Sequence, residues 1–142
     1  MKTIVVVNNE TNIAALLQFH LERAGYRVRV YGHGVNALAG LIEEPCDLVI
    51  LDSYNPPLGG VKLLRELRKH CETPVIFLSP HADDIAQELR GTELEAADYI
   101  ASPLSMVDVV ARVKKVLERR NQCDASDRLP RSTSSQGSAT DR

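Results

Sequence analysis

Five polar side chains stand directly behind apolar runs of this 142-residue chain: Asn8 and Asn9, Asp52, Ser79, and Ser102 just before Pro103. In α/β proteins the chemistry gathers at such strand ends. Amides and hydroxyls donate and accept hydrogen bonds, but only Asp52 carries charge. Hard divalent cations bind through carboxylates, and amide oxygens replace them poorly. The set therefore points to a pocket of charge −1 with little use for Mg²⁺. Other chemistry is not indicated: there is no G-x-G-x-x-G, no Walker A loop and no Ser–His or Cys–His pair at a strand end.

The elements that must position these residues follow from hydrophobic period. Strands are expected at Thr3–Val7, Arg27–Tyr31, Asp47–Leu51, Pro74–Leu78 and Asp98–Ala101. A first helix carries Ile13, Leu16, Leu17, Leu21 and Ala24, stopped by Gly25. A second runs from about Val35 to Glu44 with Leu38, Leu41 and Ile42 inward, and a third carries Val61, Leu64, Leu67 and Cys71. A weaker fourth pattern spans 84–96, where Gly91 interrupts the stripe. The last helix has Val109, Val110, Val113, Val116 and Leu117, with Arg112, Lys114 and Lys115 on its outer side.

Strict strand–helix alternation implies a parallel sheet covered on both faces. The second strand alternates Val28 and Val30 with Arg27 and Arg29, which places it at an edge. The fold class is thus α/β, a flavodoxin-like doubly wound (βα)5 with five parallel strands in the order 2-1-3-4-5. Residues 1–119 form the domain. Residues 120–142, ending in RLPRSTSSQGSATDR, are Ser-rich and lack a hydrophobic period, so a disordered tail or linker is expected.

Composition narrows the class further. Hydrophobic residues make up 44%, enough for an ordinary core, and aromatics only 4%, so that core is aliphatic. A net charge of −2 gives no basic surface for nucleic acid. Cys46, Cys71 and Cys123 are too few and scattered for a disulfide framework and read as reduced thiols. No signal-peptide pattern and no membrane-spanning run is seen, and a cytoplasmic protein is expected.

Over residues 2 to about 119 the chain resembles the receiver domain of bacterial two-component response regulators. The resemblance is carried by GYRVRVYGHGVNAL, DLVILDSYNPPLGG, TPVIFLS and ADYIASP, with their spacing preserved. It implies that Asp52 stands at the phosphoacceptor position, with Pro56 and Gly60 framing the following loop. Ser79 then holds the position that hydrogen-bonds the phosphoryl group, Tyr99 that of the aromatic switch, and the Tyr54 carbonyl that of a backbone ligand to magnesium. The chain departs from the pattern where Asn8 and Asn9 replace the acidic pair and Ser102 replaces the lysine.

A phosphoryl group on Asp52 would have neither metal nor lysine to stabilise it, although phosphoryl transfer depends on such stabilisation. A non-enzymatic pseudo-receiver without a cofactor is expected, in which one or both amides satisfy Asp52. It would work by protein–protein contact through the fourth helix, fifth strand and last helix, as a homodimer or with a protein partner, a histidine kinase among the candidates. Two alternatives stand: a phosphorylation-competent receiver with Asp52 as acceptor, and a flavodoxin-like small-ligand binder or enzyme. His20 reads as a packed or half-exposed residue rather than a ligand. His81, in the loop after Ser79, reads first as a solvated loop residue, with approach to Asp52 as a cation the alternative.

Overall fold

The computed structural model describes residues 2–52, 60–79, 96–101 and 105–128, with side chains to 119. Five parallel strands run in the order β2-β1-β3-β4-β5. They are β1 (Thr3–Val7), β2 (Arg27–Tyr31), β3 (Leu48–Asp52), β4 (Val75–Ser79) and β5 (Asp98–Ala101). The helices among the described residues are α1 (Thr11–Arg23), α2 (Gly34–Glu43), α3 (Gly60–Arg68) and a C-terminal helix (Met106–Arg128).

Side-chain alternation along the strands splits the core into two layers. Ile4, Val6, Leu48, Ile50, Ile76 and Leu78 pack with Leu17 and Leu21 of α1 and with Val109, Val113 and Leu117 of the C-terminal helix. Val5, Val7, Val49, Leu51, Val75 and Phe77 pack with Ala37 and Leu41 of α2 and Leu63, Leu64 and Leu67 of α3. The interior strands β1, β3 and β4 are apolar on both faces for this reason. Gly25 follows α1 with φ +101°, a conformation in which only glycine is unstrained. At Gly40 of α2 a Cβ would run into the ring and hydroxyl of Tyr31, so only hydrogen fits beneath that ring.

Several details correct the sequence reading. β3 and β4 each lie one residue later than expected, ending on Asp52 and Ser79. The reason lies at their starts: Pro74 has no N–H for the ladder, and Asp47 turns its carboxylate to the Thr3 N–H at 2.7 Å. Leu16 and Ile42 were expected inside but are 49% and 54% exposed, because small Ala14 and Ala37 sit against the sheet. On edge strand β2 only Val28 is buried, and Val30 is 38% exposed. Arg29 binds the Glu44 carboxylate at 2.9 Å and its carbonyl at 2.6 Å across that edge. α3 ends at Arg68, so Cys71 lies beyond it.

The C-terminal helix continues to Arg128, past the boundary expected at 119. Residues 118–128 contain neither Gly nor Pro, and Glu118, Arg119, Arg120, Gln122 and Ala125 favour helix, so nothing stops it before Pro130. The fourth helical pattern at 84–96 lies, Ala96 apart, outside the described residues, as does 129–142. Among the described residues no helix is long and apolar enough to cross a membrane.

Candidate functional site

The C-terminal ends of β1, β3 and β4 bring Asn8, Asp52 and Ser79 to one edge of the sheet. Registers place them. Asp52 pairs with Leu78, one residue below Ser79, and Ser79 pairs with Ala101. β1 lies between β2 and β3, so strand order reverses beside Asn8 and Asp52, where doubly wound folds form their crevice.

Asn8 extends the β1–β2 ladder by one bond, its N–H donating to the Tyr31 carbonyl at 3.0 Å. Its side chain is buried, and Oδ1 accepts the Glu10 N–H at 2.8 Å. This is an Asx turn, in which a short amide mimics a backbone carbonyl and leads the chain into a helix. Glu10 completes the start, its carbonyl accepting the first helical bond from Ala14 N–H at 3.0 Å. Asn9 points to solvent. The Asn8 oxygen is thus engaged by the start of α1.

Asp52 is half-buried at the end of β3 and has a partner of its own. Ser79 is buried at 2% exposure. Tyr99 is half-buried on the α2/α3 side of the sheet and stacks on Phe77, ring centroids 6.1 Å apart and planes 9° from parallel. Ser79 and Tyr99 thus share the face set by Val75 and Phe77. Among the described residues no group of three His, Cys, Asp or Glu side chains converges as a metal site. Tyr54, Pro56, His81 and Ser102 lie outside the described residues. His20 is half-buried and lies edge-on to its exposed neighbour Phe19, 5.2 Å between centroids.

Sequence reasoning missed Arg112, which it put on the solvent side of the last helix. Its guanidinium binds Asp98 at 2.9 Å and the Tyr99 carbonyl at 3.2 Å, while Nε binds Asp108 at 3.0 Å. These bonds hold the Arg112 pKa above its ordinary value, Asp108 contributing most. Arg112 fastens β5, and with it the Tyr99 backbone, to the C-terminal helix. The spacing of Asp108 and Arg112, one helical turn apart, was the available signal.

A 2-1-3-4-5 parallel sheet with an aspartate and a buried serine at adjacent strand ends, and a tyrosine two residues below the end of β5, defines a receiver-type α/β domain. Residues 4–114 match the response regulator receiver domain family, and the chain belongs to that family, whose domains serve two-component signalling.

Solved structures agree. The BeF3-activated receiver domain of DrrB is 34% identical, with TM-score 0.72 over 84% of this chain and 99% of that one. A response regulator from Chloroflexus aurantiacus is 31% identical, with TM-score 0.74 over 83% and 98%. NtrX from Brucella abortus is 28% identical, with TM-score 0.76 over 89% of this chain but 30% of its own length.

Proposed function

We propose that this receiver domain signals by protein–protein contact in the cytoplasm and does not depend on Mg²⁺-assisted phosphorylation of Asp52. The observation that carries this reading is the bond from Glu10 N–H to Asn8 Oδ1. The position where the family supplies a carboxylate for the cation holds a buried neutral amide whose oxygen is already engaged in starting α1. The donors present do not fit a hard cation: Asp52 is the one carboxylate among the described strand-end residues, Asn9 faces solvent, and Mg²⁺ resists dehydration unless carboxylates compensate. With Ser102 in place of a lysine, a second negative charge on Asp52 would have no fixed cation beside it.

In this reading the domain is not an enzyme. Its working surface is the face of β5 and the C-terminal helix together with segment 84–95, engaged by a second copy, a histidine kinase or another protein. On the described part of that face, Val107 is 82% exposed and Arg112 pairs with Asp98 and Asp108. It binds neither membrane nor nucleic acid.

A second reading, in which Asp52 still accepts phosphate, is favoured by the position of Asp52 at the end of β3 and by the likeness to a receiver solved in a BeF3-activated form. Incubation with acetyl phosphate and Mg²⁺, followed by intact mass, separates the two. The proposal expects no phosphoryl adduct, and a stoichiometric adduct lost in Asp52→Asn would refute it.

A further inference from the structure

At the opposite end of the sheet, two thiols far apart in sequence come together. β3 and β4 are neighbours, with Val49 paired to Val75. Cys46 lies three residues before the first of these and Cys71 four before the second, so the loops entering both strands start side by side. Both side chains are free, half-buried thiols packed on the same α2/α3 layer. Cys71 and Pro45, the neighbour of Cys46, line one cavity of about 180 Å³ between α2 and α3. Its other walls include Leu41, Ile42 and Leu67. The two thiols are close enough to influence each other electrostatically.

We propose that Cys46 and Cys71 form a thiol-oxidation site that hydroperoxides close into an intramolecular disulfide. Extending the Val49–Val75 pairing into the loops sets Cys46 one position from Cys71 in register, and a disulfide requires Cα atoms within about 7 Å. Each sulfur at present rests on a carbonyl of its own segment, Cys46 on Leu48 at 3.4 Å and Cys71 on Leu67 at 3.6 Å. An S–H group is a weak donor, so little holds either sulfur in that orientation.

The two thiols divide the chemistry. Burial pushes the Cys46 thiol up to about 11, whereas Cys71 stands on the cavity wall and meets the oxidant first. Cys71 Sγ attacks the hydroperoxide, the O–O bond breaks, and water or an alcohol leaves, giving a sulfenic acid. Cys46 Sγ then attacks that sulfur, the S–S bond forms, the S–O bond breaks, and water carries away the Cys46 proton. Two thiols lose two electrons and one peroxide gains them. The product staples the α2–β3 connection to the α3–β4 connection.

The test uses the full chain carrying Cys123→Ser, treated with hydrogen peroxide and digested with trypsin without reductant. Peptides 30–62 and 70–90, which hold the two cysteines, should appear covalently linked and separate with dithiothreitol. The protein should stay monomeric on a non-reducing gel, with Tm raised by roughly 5 °C. In Cys46→Ser, Cys71 should be trapped as a sulfenic acid by dimedone, and in Cys71→Ser, Cys46 should stay reduced. Unlinked Cys71 sulfinic acid, a disulfide between two molecules, or an unmodified chain would each overturn the site. The peptide map of the parent chain decides even where a serine variant fails to fold.

Discussion

The two ends of the sheet hold polar chemistry in opposite ways. At the C-terminal end, Asn8 and Ser79 are neutral beside the one carboxylate of Asp52, and the buried amide Asn8 is occupied with its own turn. At the N-terminal end the walls are apolar, and the reactive groups are two thiols, Cys46 being held protonated by burial. One end keeps a receiver's geometry with little of its charge, and the other keeps latent reactivity beside a mostly apolar cavity. Backbone register fixes where a site lies, while a few side chains at that location decide what it can do.

Restoring charge at the first end should give the largest effect. Asn8→Asp with Asn9→Asp and Ser102→Lys rebuilds the acidic pair and the cation, and the carboxylate introduced at position 8 can still accept the Glu10 N–H. The variant should bind Mg²⁺ at least about a hundredfold more tightly than the parent by calorimetry, since carboxylates replace amides at a hard cation. Equal affinity in the two proteins would show that charge is not what separates this pocket from a metal site.

At the other end, pH supplies the lever. Cys46 is raised from 9.0 to about 11 in the folded chain, so folding favours the protonated thiol. Its contribution is full below the unfolded value and is lost as pH rises from about 9 to 11, roughly 2–3 kcal/mol in all. Urea unfolding of the parent and of Cys46→Ser should diverge across that window, and parallel curves would contradict it.

Smaller effects test the joints. Asn8→Ala removes the Asx acceptor and should cost about 1–2 kcal/mol of unfolding free energy, with Asn8→Asp much milder. Arg112→Ala should cost about 1 kcal/mol, less in high salt because the pairs are partly exposed. In that variant the Tyr99 amide should also exchange faster with solvent.

Much of the fold was legible because β-branched runs and helical stripes agree with one another, and strand ends then pointed to Asn8, Asp52 and Ser79. Legibility failed where a choice depended on a neighbour in space. Leu16 and Ala14 both fit an amphipathic stripe, and only the closeness of α1 to the sheet decided for alanine. Asn8 was legible as a neutral strand-end group, but its Asx turn into α1 was not, since nothing in the sequence says which way an amide turns. Arg112 looked like a solvated cation until β5 came beside it, and Cys46 and Cys71 looked scattered until β3 met β4.

The central claim is that Asp52 sits among uncharged strand-end groups, and amide NMR of the full chain with Mg²⁺ and beryllofluoride tests it most directly. The expected result is an unchanged spectrum at Asp52, Ser79 and Tyr99. Discrete, saturable shifts at those three amides would contradict the account.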